Sequence, residues 1–282
     1  MDIKKNLPLD GPAIDEVNKY IPKYTDEIIV IKCGGSVLFD KNLFKQFIED
    51  ISVIYNLGLK IIVVHGGGKN IKRKLDLQNI ESKFIDGLRV TDEKTVIIVE
   101  ESLLELNSEI LNDLKNKMCK VESINPKNSN IIKVSAEKKE LGFVGFPKEI
   151  SKDKILELIK EKKIPIVMPM GIGEDNKIYN INADIVASSI AKELNARRLL
   201  LMTDVSGVFN HNNELVSEID SSTANEFINK GIIKGGMIPK VTTCLDAIKN
   251  GVTGVAIVDG RKPHSILFEL FSDKGAGTLI RK

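Results

Sequence analysis

Three glycine clusters lie beside side chains that can attract an anion or donate a hydrogen bond to it. Lys32 precedes a glycine pair at 34–35, His65 precedes a triplet at 66–68, and Lys240 follows a pair at 235–236. Glycine permits a positive φ at a strand end and lets backbone N–H groups approach a ligand closely. Where a helix follows, its free N–H groups and positive dipole end favour an anion. One glycine pair alone would more often be a tight turn, but three clusters together predict an anion site.

The common motifs that such glycines could belong to do not fit. The triplet is followed by Lys69 and Asn70, without the Ser or Thr of a Walker A loop, and there is no G-x-G-x-x-G after a strand. Residues 65–68 also match the oxyanion-hole loop of lipase-type hydrolases. That class requires a G-x-S-x-G turn, and no serine in the sequence has this setting. A serine hydrolase is therefore disfavoured.

Short apolar runs rich in β-branched residues alternate with longer helical patterns from residue 28 onward. Strands are predicted at 28–32, 60–65, 130–135, 164–169, 199–203 and 254–258. Helices are predicted at 41–57, 91–117, 151–161, 183–194, 222–229 and 239–249. The strands are almost continuously apolar, as strands covered on both faces are. The pattern predicts an α/β fold with a mainly parallel, three-layer sheet, in which ligands bind beyond the carboxyl ends of the strands.

Size, charge and cysteine content limit the classes of protein that remain. The chain has 282 residues and a formal net charge of +2, so no overall field favours nucleic acid or membrane. Its three cysteines form no CxxC pair, its three histidines lack zinc-ligand spacing, and no metal site is predicted. The N-terminus lacks the apolar core of a signal peptide, and no apolar run could span a bilayer. We expect a cytoplasmic protein.

The first 24 residues differ from the rest of the chain and are treated as an N-terminal extension. Residues 12–24 predict a short amphipathic helix, which Pro22 should kink or end. The apolar side of this helix would cover either a partner subunit or the chain's own main domain. A lobe boundary is predicted near residues 171–177, a polar stretch that contains glycine.

The glycine clusters belong to longer motifs whose order along the chain resembles the amino acid kinase family. These motifs are KCGGS at 32–36, HGGG at 65–68, LMTDVSGV at 201–208 and GGMIPK at 235–240. Three further segments, GLRVTD at 87–92, LGFVG at 141–145 and YNINAD at 179–184, resemble the branch of that family that phosphorylates N-acetyl-L-glutamate, and the ending at 259–271 is similar too. The resemblance implies a three-layer αβα fold with two lobes around a cleft: residues 25–176 for the acceptor and dimerisation, and 177–282 for ATP.

The resemblance also implies a reaction and a set of site residues. The γ-phosphoryl of ATP would pass to the side-chain carboxylate of N-acetyl-L-glutamate, as in arginine biosynthesis, with Mg²⁺ held mainly by the ATP phosphates. The catalytic residues would be Lys32, Lys240 and Asp184. The acceptor would be bound by Gly35, Gly67, Gly68, Arg89, Asn180 and Asn182. The nucleotide would be bound by Gly34, Thr203, Asp204 and Met237.

Oligomeric state and regulation follow from the same resemblance. The N-terminal helix is similar to those that interlace dimers into a hexameric ring, a trimer of dimers; a plain dimer is the other expectation. Glu269 and Gly275 match positions expected to bind arginine as an effector, and a PII-type regulator is a further expected partner. Ala256 stands where a histidine is expected, and residues 210–211 stand where a lysine usually contributes. We therefore expect arginine inhibition that is weak or altered.

Some residues depart from the family pattern and leave alternatives open. Cys33 stands where tyrosine is common, residues 36–38 differ from the usual Asn-Ala-Met, and Lys69 replaces a proline. One alternative keeps the fold but changes the acceptor to N-acetyl-aminoadipate, aspartate or a phosphate monoester such as UMP. Another is a non-catalytic sensor of arginine or of a nitrogen-regulatory protein, which the presence of both lysines disfavours.

Overall fold

The computed structural model describes residues 7–282, and residues 1–6 of the N-terminal extension lie outside the described part. The helices are α1 Ile14–Tyr24, α2 Lys41–Asn56, α3 Gly68–Leu77, α4 Glu93–Asn116, α5 Lys152–Lys160, α6 Ala183–Glu193, α7 Ser221–Asn229, α8 Met237–Lys249 and α9 Ser265–Phe271. The strands are β1 Ile28–Cys33, β2 Lys60–His65, β3 Phe84–Ile85, β4 Leu88–Arg89, β5 Val121–Ile124, β6 Ile132–Ala136, β7 Gly145–Ile150, β8 Ile164–Val167, β9 Met170–Gly173, β10 Ile178–Asn180, β11 Arg198–Thr203, β12 Glu218–Asp220, β13 Gly254–Asp259 and β14 Gly277–Arg281.

The main sheet has eight strands in the order β12-β14-β13-β11-β1-β2-β8-β5. All neighbouring pairs are parallel except β13 with β14, so the predicted fold class is confirmed. Successive residues of β1 alternate between two apolar clusters: Ile29 and Ile31 face one, and Val30 faces the other. Helices cover both faces of the sheet, which explains why its central strands read as continuous apolar runs.

Several elements differ from the sequence-based expectations. The strand predicted at 130–135 corresponds to β6, which lies in a separate four-stranded sheet of order β10-β9-β6-β7. The stretch at 171–177 is the end of β9 and the turn of a β-hairpin with β10. This hairpin belongs to the smaller sheet, so the stretch is not a free linker. The division into lobes remains a prediction, although all strands on one side of the β1–β11 pair follow residue 177.

Helix α1 packs on the chain's own domain. Val17 and Tyr24 are fully buried in the cluster formed with α2 and α9, and the Tyr24 ring meets Phe271 edge-on. The helix continues past Pro22 and ends at Tyr24. Since Pro22 lies in the last turn, its missing N–H removes a hydrogen bond where the helix is about to end.

A buried acid–imidazole pair joins α2 to α9 and to the N-terminal segment. His264 lies 2.6 Å through Nδ1 from Oδ1 of Asp50 and 3.1 Å through Nε2 from Oδ1 of Asp10. Burial raises the pKa of Asp50 to about 6 against the opposing effect of its hydrogen bond with His264. The same hydrogen bond raises the pKa of His264. Both shifts mean that the folded pair binds protons more tightly than the unfolded chain does.

Replacing Asp50 with Asn should destabilise the fold in a pH-dependent way. A group with a raised pKa contributes stability that is present at low pH and lost as pH rises through the folded pKa. Without the Asp50 carboxylate, the largest cause that raises the pKa of His264 is lost, while burial still opposes the charged imidazole. The free energy of unfolding should therefore fall by roughly 1–3 kcal/mol, with the largest deficit near pH 5.5 and a smaller one at pH 8, as measured by urea denaturation. His211→Ala, at an exposed histidine, is the control. A deficit that does not change with pH would contradict this account.

Candidate active site

The carboxyl ends of β1 and β2 open into a cavity of about 260 Å³. Its walls include the glycines that follow both strands, together with Lys32, Arg89, Asn180 and Asp184. Parallel neighbouring strands end at the same edge of the sheet, which is why the first two glycine clusters come together. The cavity therefore unites most of the residues predicted to bind the acceptor.

A second cavity of about 460 Å³ adjoins the first. Asn182 and Asp184 line both cavities, and the second is also lined by Gly236 and Lys240. The third glycine cluster thus reaches the site through the start of α8, from the other side of Asp184. The predicted catalytic lysines approach one carboxylate from two cavities.

Asp184 forms an ion pair with each of these lysines. Nζ of Lys32 lies 2.9 Å from Oδ1, and Nζ of Lys240 donates a hydrogen bond of 2.6 Å to Oδ2. Burial alone would raise the pKa of Asp184. Attraction to Lys32 and then Lys240 outweighs that effect and lowers the pKa to about 2. The carboxylate is therefore ionised at neutral pH, and it holds two like charges close together.

The local sequence explains why Asp184 stands in this position. Asn182 is the N-cap of α6, and its Oδ1 accepts hydrogen bonds from the N–H groups of Asp184 and Ile185 at 2.8 and 3.4 Å. Asn and Asp are favoured at a helix N-cap and first turn because they satisfy free N–H groups and the dipole. Asn182 was predicted to bind substrate. Its side-chain oxygen Oδ1 is engaged in the helix cap, and the residue lines both cavities.

At some positions of the glycine loops a side chain would meet close neighbours. A Cβ on Gly34 would lie 3.0 Å from Nζ of Lys32, and a Cβ on Gly67 would lie 2.7 Å from a methyl group of Leu103. Gly35 has φ of +59°, which favours glycine. Within residues 7–282, the N–H groups of Gly67 and Gly68 have no hydrogen-bond acceptor. They are available to an anion at the N-terminus of α3.

Arg89 lines the first cavity as a buried cation next to the glycine triplet. Its Nη1 donates to Oγ of Ser82 at 2.6 Å, its Nη2 donates to the carbonyl of Gly68 at 3.3 Å, and the guanidinium lies 4.8 Å from the Phe84 ring centre. Burial lowers the pKa of Arg89, an effect that Asp76 partly opposes. Its hydrogen-bond partners in the described residues are neutral, so a ligand carboxylate would supply the missing charge.

Asn180 lies beside Arg89 on the cavity wall. Its Nδ2 donates to Oγ1 of Thr91 at 3.3 Å, and its backbone N–H donates to the carbonyl of Phe143 at 2.9 Å. These contacts tie β10 to the GLRVTD and LGFVG segments. Three motifs that were assigned from their order in the sequence are therefore joined in space around one cavity.

The residues predicted for the nucleotide are less closely gathered. Neither cavity is lined by Thr203, Asp204 or Met237. Asp204 follows β11 and approaches the first glycine loop, where its Oδ1 accepts from the N–H of Ser36 at 3.2 Å. Met237 begins α8 and packs against the apolar cluster on that face of the sheet. Their roles in nucleotide binding remain predictions.

Two departures from the family pattern have clear places in the structure. Cys33 is fully buried in an apolar cluster, so its side chain does not face the ligand. Lys69 lies in the first turn of α3, and its Nζ donates to Oγ of Ser36 at 2.8 Å. This contact joins the two loops that follow β1 and β2.

The predicted effector residues lie in a separate cavity of about 440 Å³ between α1 and α9. Lys23, Arg198, Glu269 and Gly275 line it. Oε2 of Glu269 accepts from the N–H of Ala276 at 2.9 Å, and burial raises the pKa of Glu269. The cavity offers charges of both signs, as an amino acid ligand would require.

Sequence reasoning missed Ser82 and Phe84, which contact Arg89. The sequence does contain a signal for the hairpin that brings Phe84 to Arg89. The dipeptide Asp86-Gly87 lies between apolar residues, and Asp-Gly in this setting is typical of a two-residue hairpin turn. Both residues have positive φ, 50° and 80°, and the turn pairs Phe84 with Arg89. A hairpin prediction would have placed these two side chains opposite each other.

Across residues 7–282, no three His, Cys, Asp or Glu side chains are grouped closely enough to hold a metal ion. In the same range, no helix is both long and apolar enough to cross a membrane.

Comparison with known proteins agrees with the geometry. Residues 27–259 match the model of the amino acid kinase family. The chain is 55% identical over 276 residues to the acetylglutamate kinase of Pelagibacter ubique, covering 98% of this chain and 96% of the relative. It is 42% identical to the acetylglutamate kinase of Campylobacter fetus, covering 93% of this chain and 94% of the relative.

A solved structure shows the same fold at low sequence identity. The structure of N-acetylglutamate synthase from Neisseria gonorrhoeae, complexed with coenzyme A and N-acetyl-glutamate, superimposes with a TM-score of 0.87 at 21% identity. The match covers 95% of this chain and 62% of the synthase chain. Because the family model matches most of this chain, the chain belongs to the amino acid kinase family.

Proposed function

We propose that this protein is an acetylglutamate kinase. It transfers the γ-phosphoryl group of ATP to the side-chain carboxylate of N-acetyl-L-glutamate and releases ADP and N-acetyl-glutamyl 5-phosphate, a step of arginine biosynthesis in the cytoplasm. The observation that carries this proposal is the pair of lysines on the single buried carboxylate of Asp184, beside a glycine-lined cavity that Arg89 also lines. The relatives described above support the choice of acceptor.

The proposed reaction needs no general base, because a carboxylate nucleophile is already ionised at neutral pH. The difficulty lies in bringing two anions together and stabilising the charge that develops on the phosphoryl group. Catalysis then consists of positioning and electrostatic stabilisation. Lys32 and Lys240 supply two positive charges, and Asp184 holds both in place before substrate arrives.

Each substrate has its own part of the site in this proposal. ATP binds as its Mg²⁺ complex, in which the phosphates hold the metal ion, on the side formed by residues 177–282. The acceptor binds mainly among residues 25–176, with Asn180 contributed by the other segment. Arg89 and Asn180 hold its α-carboxylate, and the free N–H groups of Gly67 and Gly68 face its reacting carboxylate and the migrating phosphoryl group.

Removing one of the two cations should slow the chemical step. Lys32→Met keeps the length of the side chain but deletes its charge, and kcat should fall by about 10²–10³. ADP release is measured with N-acetylglutamate, N-acetyl-aminoadipate, aspartate and UMP in parallel. Lys72→Met, at an exposed lysine paired with Asp76, is the control. Turnover of another acceptor but not of N-acetylglutamate would refute the substrate assignment, and near-normal activity of Lys32→Met would refute its role.

Replacing the guanidinium group of Arg89 with an ammonium group should weaken binding of the acceptor but not of ATP. Arg89→Lys retains a positive charge but cannot form the bidentate contact with a carboxylate. The KM for N-acetylglutamate should rise roughly 10–100-fold, since hydrogen bonds to charged groups contribute about 1.5–3 kcal/mol, while the KM for ATP changes little. Arg73→Lys, at an exposed position of α3, should have no effect. Equal increases of both KM values would argue against a role confined to the acceptor.

We also propose a hexamer, arranged as a trimer of dimers, whose activity arginine inhibits weakly. Val17 and Tyr24 anchor α1 to its own domain, and Ile14 remains half-exposed on the same helix, where a partner helix could cover it. The cavity beside this helix contains Glu269 and Gly275. A regulator of the PII type belongs to the same proposal.

Light scattering and inhibition assays test this assembly together. The particle mass should equal six chains of 31.2 kDa. L-Arginine should reduce ADP release, and Glu269→Gln should relieve that inhibition because the carboxylate that would pair with the guanidinium is lost. Glu218→Gln, at an exposed residue on the wall of the same cavity, is the control. A dimer, or inhibition unaffected by Glu269→Gln, would contradict the respective part of the proposal.

A further inference from the structure

A chain of buried polar side chains lies directly behind the glycine triplet. Nδ2 of Asn125 donates to Oγ of Ser123 at 2.8 Å, and that hydroxyl donates to Oδ1 of Asn107 at 2.6 Å. Nδ2 of Asn107 lies 3.0 Å from Nε2 of His65, and Nδ1 of His65 lies 3.1 Å from the carbonyl oxygen of Gly66. His65 is fully buried and Asn107 is 2% exposed. Buried polar groups are normally hydrogen-bonded, and these side chains bond to one another and to the glycine turn.

The contacts of Asn107 fix the orientation of its amide. Its Nδ2 also lies 3.3 Å from the carbonyl oxygen of Ile166 in β8. A carbonyl oxygen can only accept, so the NH₂ group must face Ile166 and His65, and the amide oxygen must face Ser123. The opposite orientation would bring two oxygens together at Ile166, which is unfavourable in a buried site.

The orientation of Asn107 in turn fixes the tautomer of His65. Burial lowers the pKa of His65 to about 4, so the imidazole is neutral at pH 7 and carries a single N–H. Because Nε2 faces a donor, it must accept, and the proton must lie on Nδ1. The Nδ1–H then donates to the carbonyl of Gly66. Every polar atom of this arrangement has a complementary partner.

The hydrogen bond to Gly66 determines where the next N–H points. In a trans peptide the C=O and the following N–H lie on opposite sides. A Gly66 carbonyl held toward the buried imidazole therefore directs the N–H of Gly67 toward the cavity that Gly67 lines. The N–H of Gly66 is also fixed, since it donates to the carbonyl of Cys33 at 2.6 Å.

Helix α4 supplies both the amide and the packing that hold this turn. Leu103 and Leu106 lie against Gly67, so closely that a Cβ there would meet a Leu103 methyl at 2.7 Å. Asn107 follows on the same helix and reaches His65. One helix face thus positions the glycine turn by close packing and by hydrogen bonding.

We infer that Asn107 and His65 are positioning residues of the phosphoryl-transfer site, which hold the Gly66–Gly67 peptide so that its N–H faces the reacting groups. Asn107 selects the Nδ1–H tautomer of His65, and His65 anchors the carbonyl of Gly66. The hydrogen-bond assignment depends only on the geometry. Its consequence for turnover rests on the proposed function, in which that N–H contacts the acceptor carboxylate and the migrating phosphoryl group.

The tautomer can be measured directly by NMR. The chain has only three histidines, so ¹⁵N shifts of the imidazole nitrogens assign easily once His65→Gln identifies one set of signals. At pH 7.5 we expect His65 with a protonated Nδ1 and an unprotonated Nε2, the rarer neutral tautomer. Asn107→Leu should shift the population toward the Nε2–H form. A wild-type His65 with its proton on Nε2 would overturn the inference without any bearing on which acceptor is phosphorylated.

Kinetics measure the consequence for the site. In Asn107→Leu, kcat should fall at least about 10-fold, though by no more than the 10²–10³ expected when an oxyanion donor is removed outright. The KM for ATP should stay within threefold. Ser102→Ala is the matched control, since it deletes another buried hydrogen bond of α4, from Ser102 Oγ to the carbonyl of Ile98, that does not lead to the glycine turn.

Two outcomes would contradict the positioning role. One is a kcat within twofold of wild type for Asn107→Leu, and the other is an equal loss of kcat in Ser102→Ala, which would indicate a general effect of destabilising α4. If Asn107→Leu does not fold, Asn107→Ala serves instead, because it also removes the amide that donates to Nε2 of His65 but adds no bulk; it should shift the tautomer and lower kcat in the same direction. Absence of wild-type turnover on N-acetylglutamate would refute the proposed acceptor and leave the tautomer result standing.

Discussion

The carboxylate of Asp184 allows two ammonium groups to face the same ligand site. Lys32 and Lys240 lie 2.9 and 2.6 Å from its two oxygens, and without that charge the lysines would repel each other in a poorly hydrated site. The low pKa of Asp184 reflects how strongly the two cations favour its ionised form. The rest of the architecture brings these three groups together: Lys32 comes from a central strand, and Asp184 and Lys240 come from the first turns of two helices.

The three-layer arrangement leaves one edge of the sheet for chemistry. Both faces of the central strands are buried under helices, so only the loops beyond the strand ends can meet a ligand. Helices α3, α6 and α8 begin at that edge, and each directs free N–H groups or first-turn side chains into the same space. The positive ends of these helices add to the ammonium groups of Lys32 and Lys240. A site built for two anionic substrates therefore obtains much of its field from the backbone.

The sequence predicted the parts of this structure that depend on local pattern. Short, nearly continuous apolar runs located the central strands, and glycine clusters beside Lys32 and Lys240 indicated an anion site before any family was considered. Three strands of the smaller sheet were missed: β9 and β10 have only four and three residues, too few for a clear period, and β7 contains Gly145 and Pro147. The assignment of β6 to that sheet depends on long-range pairing with β7 and β9. The His264–Asp50 pair was missed for the same reason, since 214 residues separate its members.

The buried cations of the site are compensated in two different ways, and in the proposed reaction this difference separates binding from catalysis. The lysines are neutralised within the protein, so they remain in place whether or not substrate is present. Arg89 has a neutral serine, a backbone carbonyl and an aromatic ring as contacts, and the charge of Asp76 compensates it only in part, so an anionic ligand would balance its buried charge. In the proposed reaction, binding energy is therefore released mainly at Arg89, where it can offset the cost of bringing the reacting carboxylate toward the phosphates. The fixed lysines and the anchored glycine peptide would then act on the transition state.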